Sequence, residues 1–227
     1  MEKSVAEKIF DDVSRAYDKF LNFATFNKIN NWQNTLIQNT PNGRYVLDIG
    51  TGTGEVVKKL HEKLSEKSFI YGIDLSFNML KVSKSKIPYQ NVLFIKADAL
   101  RLPFKKNSLD NIYFSLVFRH LPKDKIIYQL KDVLKKDGYV SILEIAKPKS
   151  KLLYNFILIF ADKIFRPFGR ILFSKEEWDY FVESIKNSMT KEELLDFFSK
   201  NGFNLHFYES RFLGLIHIAI FKKNAEV

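Results

Sequence analysis

The sequence Val46-Leu47-Asp48-Ile49-Gly50-Thr51-Gly52-Thr53-Gly54 runs from apolar residues into a cluster of glycines. Arg44 to Ile49 reads as a buried parallel strand, and Val56, Val57, Leu60 and Leu64 mark the helix that follows. Between strand and helix the chain must turn tightly and let a ligand approach its backbone. The spacing is G-x-G-x-G, which differs from the G-x-G-x-x-G of a dinucleotide loop. No Gly-Lys-Ser/Thr follows, so it is not a Walker loop.

Two acids downstream give the loop a context. Ser68 to Ile73 reads as a second strand ending at Asp74, about 20 residues on, where a carboxylate can accept ribose hydroxyls. Asn91 to Ala97 is a third strand, ending at Asp98. Loop and acids therefore meet at the carboxyl ends of adjacent strands, where open α/β sheets bind ligands. The alternation continues through Leu109–Val117, a helix lined by Ile126, Ile127, Leu130, Val133 and Leu134, and Tyr139–Ile145. Pro122 suits the start of that helix and Gly138 its end. Ser76 suits a helix cap, and Ser174 with Glu177 and Thr190 with Glu193 are capping boxes. Phe203–Ser210 and Phe212–Lys222 close the chain as adjacent strands, which must pair as a hairpin. The pattern is α/β: a mostly parallel sheet with helices on both faces and a C-terminal antiparallel hairpin.

Composition narrows the classes. At 227 residues the chain holds one substantial domain, and 46% hydrophobic residues with 27% charged ones exclude a disordered tail. The absence of cysteine removes disulfides, thiolate metal sites and cysteine nucleophiles. His61, His206 and His217 are dispersed without metal-ligand spacing, and no metal is expected. The net charge of +10 suits an anionic partner, nucleic acid or membrane, or a solvated surface. No signal-peptide core opens the chain and Leu152–Phe160 is about half of a bilayer span, so a cytoplasmic protein is expected.

With these residues in view, the chain resembles the class I S-adenosylmethionine-dependent methyltransferases. Outside the loop, Phe10-Asp11-Asp12-Val13-Ser14-Arg15-Ala16-Tyr17-Asp18 with Asn22 and Trp32 is similar to the N-terminal signature of the quinone C-methyltransferases of menaquinone and ubiquinone biosynthesis. Ala99 to Phe104, Phe118-Arg119-His120, Leu143 to Pro148 and Tyr180 to Ile185 resemble further motifs of that family. There are departures: Asn30 stands where a basic residue is usual, Arg119-His120 replaces an arginine-asparagine pair, and Lys-Asn-Ser-Met follows Ile185. They bear on the acceptor more than on the cofactor or fold.

The resemblance implies a Rossmann-like seven-stranded sheet and S-adenosyl-L-methionine as cofactor. It assigns Asp48 to the methionine amino group, the backbone of Gly50, Thr51, Gly52, Thr53 and Gly54 to the methionine part, Asp74 to the ribose and Asp98 to the adenine. Tyr17, Leu75, Ala99 and Ser115 complete the implied cofactor set. The implied division is a helical cap over residues 1–40, a cofactor core over 41–147, an acceptor-side helical insertion over 148–200 and a hairpin over 201–227.

Methylating an aromatic carbon needs an electron-rich ring, which a quinol becomes on losing a hydroxyl proton. Arg119 is expected to stabilise the phenolate and His120 to take the proton. The expected acceptor is a prenylated quinol such as demethylmenaquinol. The aromatic, basic stretch from Leu152 to Arg170 would cover the acceptor pocket and touch the inner face of an anionic membrane. The alternatives are another lipophilic or phenolic acceptor, an RNA methyltransferase, or a cofactor-binding protein without catalysis. Against RNA, Ser115-Leu116-Val117-Phe118 stands where an Asn-Pro-Pro-Tyr motif would lie, and no RNA-binding module is appended. No nucleic-acid partner is expected.

Overall fold

Seven strands form one sheet in the order β3-β2-β1-β4-β5-β7-β6. The computed structural model describes residues 17–64, 66–148, 159, 163 and 175–225. The part of the expected helical cap before Tyr17, the Ser174 cap and, but for residues 159 and 163, the stretch 152–170 lie outside the described residues. Helices α1 (Tyr17–Ala24) and α2 (Ile29–Asn39) lead into β1 (Tyr45–Ile49). The core then runs α3 (Glu55–Leu64), β2 (Phe69–Asp74), α4 (Phe77–Lys86), β3 (Val92–Lys96) and β4 (Leu109–Ser115). A 3-10 turn (Phe118–His120), α5 (Lys123–Val133) and β5 (Leu134–Ile145) follow, then α6 (Lys175–Lys186), α7 (Lys191–Lys200), β6 (Phe203–Arg211) and β7 (Ile216–Lys223).

The strands β1 to β5 are parallel, and β7 is antiparallel to both β5 and β6. The period-two alternation of strand side chains sorts the sheet into two apolar layers. Leu47, Ile49, Ile112 and Phe114 pack on one face with Ile126 and Leu130 of α5 and Phe198 of α7. Val46, Ile70 and Tyr113 face the other way, against Trp32 and Leu36 of α2 and Val57 and Leu60 of α3. Both faces are thus covered, and the carboxyl ends of β1, β2, β3 and β4 share one open edge.

Local chemistry sets several element ends. Ser76 caps α4 by accepting the Met79 N–H at 3.1 Å. Thr190 and Glu193 form a reciprocal capping box on α7, at 2.8 and 3.2 Å. Two expectations are corrected. Gly138 does not stop α5, which ends at Val133; it lies inside β5, where an added Cβ would stand 2.8 Å from the Asp110 carbonyl oxygen. The left-handed residue there is Asp137, φ 61°. The last strand starts at Ile216, because Phe212, Leu213 and Gly214 take φ values of 53°, 55° and 91° and make the hairpin turn.

Candidate active site

The glycine loop turns where β1 meets α3. Gly50 has φ +68°, and a Cβ on it would stand 2.5 Å from a Val117 methyl, so the loop closes against the segment after β4 only through glycine. Gly52, φ +52°, faces open space, where a side chain would intrude on whatever the loop holds. The turn is pinned by Thr51 N–H donating to the Ile73 carbonyl at 2.9 Å. Asp74 holds the next residues: its carboxylate accepts the Gly52 N–H at 2.9 Å and the Ser76 N–H at 2.8 Å. Asp98 accepts the Leu100 N–H at 2.9 Å and is exposed.

These elements wall a cleft of about 280 Å³. Asp48, Gly50, Thr51, Gly52, Thr53, Asp74, Leu75, Asp98, Ala99, Ser115 and His120 all line it. Gly54 stands just behind, with its Cβ position 2.7 Å from Ile87 in the turn below α4. Tyr17 lies on α1, at the start of the described chain. The cleft is acidic and apolar at once, with Asp18, Asp48, Glu55, Asp74 and Asp98 at its edge alongside Leu21, Ile29, Val117 and Leu121.

Asp48 is the singular group. It is buried, and neither carboxylate oxygen has a hydrogen-bond partner among the described residues. Burial pushes its pKa from 3.8 up to about 7; the nearby Thr51 hydroxyl pulls back down, and the Asp74 charge adds a further push. A buried carboxylate left bare costs several kcal/mol unless it is protonated or a cation arrives. An α-ammonium supplies that cation, and its three N–H groups match the two bare oxygens. The Asn22 side-chain oxygen is a second buried, unpartnered acceptor on the cleft wall. These acceptors fit the ammonium group of S-adenosylmethionine.

Arg119 departs from expectation. It does not line the cleft but is buried behind it, donating through Nη1 to Glu144 Oε1 and the Leu116 carbonyl, both at 2.7 Å. Its Nε donates to Ser184 Oγ at 3.2 Å and its backbone N–H to Glu144 Oε2 at 3.0 Å. The guanidinium thus ties the turn after β4 to the end of β5 and to α6. His120 does reach the cleft. Burial first, then the Arg119 and Lys123 charges, hold its pKa far below the ordinary imidazole value. It is a neutral ring at working pH, and a weak base.

Sequence reasoning left some wall residues out of its cofactor set. Asp18 accepts the Thr53 hydroxyl at 2.5 Å and pairs with Lys86, stapling α1 over the loop. Gln33 donates to Ser115 Oγ at 3.1 Å and accepts from Lys59 at 2.9 Å. The signal for Gln33 was present: it stands beside Ile29, Trp32, Leu36 and Ile37 on the buried face of α2. A polar residue on such a face needs partners.

A mostly parallel seven-stranded sheet ending in an antiparallel hairpin, with a glycine loop and strand-end acids around one cleft, defines a class I S-adenosylmethionine-dependent methyltransferase. The chain belongs to the ubiE/COQ5 methyltransferase family, whose model matches residues 1–223. It is 31% identical over 210 residues to the ubiquinone/menaquinone biosynthesis C-methyltransferase of Wigglesworthia glossinidia brevipalpis, covering 89% of this chain and 84% of that one. It is 29% identical over 206 residues to a demethylmenaquinone methyltransferase of Staphylococcus aureus, covering 88% and 86%. Among solved structures, a SAM dependent methyltransferase from Aquifex aeolicus aligns with TM-score 0.56 and 18% identity, over 78% of this chain and 81% of that one. Geranyl diphosphate C-methyltransferase from Streptomyces coelicolor aligns with TM-score 0.63 and 12% identity, over 85% and 79%. The two structures share the fold.

Proposed function

We propose that this chain methylates a ring carbon of a prenylated quinol such as demethylmenaquinol, working as a peripheral protein at the cytoplasmic face of a membrane. Bare, buried Asp48 in a half-apolar cleft carries the reading, because it awaits a cation beside room for a greasy acceptor. The acceptors in the relatives' names, and the lipophilic acceptor class common to them, support the choice of quinol.

S-adenosylmethionine supplies an electrophilic methyl group. The chain's own residues do the rest. Asp48 receives the ammonium, and the backbone of residues 50–54 carries the methionine part. Asp74, which accepts the Gly52 and Ser76 amides, lies at the end of β2 where its carboxylate meets the ribose hydroxyls. Asp98 would meet the adenine, and Leu75, Ala99, Ser115 and Tyr17 would complete the set that holds the cofactor. His120 accepts a hydrogen bond from the quinol hydroxyl and orients the ring. Its low basicity leaves ionisation of that hydroxyl to the medium. Arg119 is a positioning residue, which fixes the turn that carries His120.

The experiment is a methyl-transfer assay with reduced demethylmenaquinone and a demethoxyubiquinol-type acceptor side by side, with the product position read by mass spectrometry. A new carbon-bound methyl on the demethylmenaquinol ring is expected. Cofactor binding with neither quinol methylated would overturn the reading.

A further inference from the structure

Four large apolar side chains stand in solvent at the rim of the cleft. Phe23 is 57% exposed, Phe26 62%, Phe212 40% and Leu213 94%. Phe23 lies in the last turn of α1, Phe26 in the α1–α2 turn and the other two in the β6–β7 turn, and the turns meet: the Phe26 and Phe212 rings lie 6.1 Å apart, and Phe212 rests 5.9 Å from buried Trp32. The knob is held rigidly. Phe26 and Asn27 donate backbone N–H to the Phe23 and Asn22 carbonyls, at 3.1 and 2.7 Å, and Leu215 donates to Phe212 at 3.1 Å. Phe26, Phe212 and Leu213 all have positive φ, of 51°, 53° and 55°, which is strained for bulky side chains. Strain spent on pointing greasy residues outward asks for a reason.

Position supplies one. The β6–β7 turn lies at the cleft edge of the sheet, since Ile216 pairs with Ile145, the last residue of β5. The chain that carries Phe23 and Phe26 lines the cleft with Asn22 on one side and Ile29 on the other. Charge supplies another. Lys19 and Lys28 flank the segment that carries Phe23 and Phe26, with no acid between them, in a protein of net charge +10. On the opposing turn the nearest acid, Glu209, is paired with Arg211 at 2.5 Å.

We propose that this knob is the membrane anchor: Phe23, Phe26, Phe212 and Leu213 enter the interface of an anionic bilayer, and the cleft mouth beside them faces the layer that holds the acceptor. The proposal rests on a lipophilic acceptor, as argued above, but names a different surface from residues 152–170. Burying one such side chain in lipid is worth about tenfold or more in partitioning.

The test is co-sedimentation of the full chain with phosphatidylglycerol-phosphatidylcholine vesicles, and with phosphatidylcholine alone, at low salt. Leu213→Glu loses no packing, and Phe26→Asn keeps the turn because asparagine tolerates positive φ. Each should cut sedimentation with anionic vesicles about tenfold, while melting temperature and turnover of a short-chain, water-soluble quinol stay at wild type. Undiminished binding by both variants would overturn the proposal and move the contact elsewhere on the chain. A dimer in sedimentation velocity that Leu213→Glu dissolves, without vesicle binding by wild type, would make the knob a self-contact and overturn it too. Vesicle binding lost by the variants with no quinol methylated even by wild type would leave the anchor standing and sink the acceptor reading instead.

Discussion

Two buried carboxylates, Asp48 on β1 and Glu144 on β5, end on the same sheet edge and are handled in opposite ways. Glu144 has both oxygens occupied, by the Arg119 side chain, the Arg119 N–H and, at 2.7 Å, the Ile145 N–H. Asp48 has neither oxygen occupied. One acid is finished by the fold, the other left for a ligand to finish. Both would read as a strand-end acid, yet one is structural and the other is where binding energy is to be gained.

The comparison breaks most visibly if Glu144 can be lost cheaply. Glu144→Ala leaves the Arg119 guanidinium buried without its partner and should cost about 3–5 kcal/mol in urea unfolding. Replacing both, Arg119→Met with Glu144→Met, should recover most of that; a single variant within about 1 kcal/mol of wild type would show the pair to be idle.

Asp48→Asn should change stability in the opposite direction. The folded-state pKa of about 7 lies above the ordinary 3.8, so the ligand-free protein holds an extra proton between those values and loses stability as pH rises through them. The asparagine variant should lack this slope and be more stable than wild type at pH 8, by less than the ~4 kcal/mol that a shift of this size represents. In calorimetry it should bind S-adenosylmethionine one to two decades more weakly. A variant that loses stability but binds normally would reverse the assignment.

Asp74→Ala sharpens the picture, since Asp74 both holds the glycine loop and lines the cleft. Its loss should cost roughly 1.5–3 kcal/mol of cofactor binding, through the missing ribose contacts and a looser Gly52 amide. Cofactor affinity unchanged by calorimetry, with the fold intact, would remove Asp74 from the site. The smallest effect belongs to His120→Asn. Because the ring stays neutral, the variant should slow methyl transfer only a few-fold and leave the shape of the pH–rate profile as it was; loss of an ionisation near neutrality would show that His120 stores the proton after all.

The cofactor half of the site was legible because its chemistry is local. Gly50, Gly52, Asp74 and Asp98 sit at strand ends, and the βα order alone brings strand ends together. The Arg119 geometry was not legible, because burial against Glu144 and Ser184 depends on contacts 25 and 65 residues away in sequence. A lone arginine after a strand reads the same whether it faces a cleft or a core. Asp18 and Gln33 escaped for a related reason: the period of α1 and α2 shows which face is buried but not what it is buried against. Two adjacent apolar runs predict the closing hairpin, but its turn falls later than they suggest because Phe212 and Leu213 look like strand residues while adopting left-handed backbone.

The central claim is that the cofactor's ammonium completes Asp48, and proton release on binding tests it most directly. At pH 6 the ammonium is already formed and Asp48, with its pKa of about 7, is mostly protonated. Titrating S-adenosylmethionine in buffers of different ionisation enthalpy should therefore show close to one proton released per cofactor bound, and affinity about 50-fold weaker at pH 5 than at pH 7. Asp48→Asn should release none. Binding at pH 6 without proton release in the wild type, or the same release in Asp48→Asn, would contradict the account.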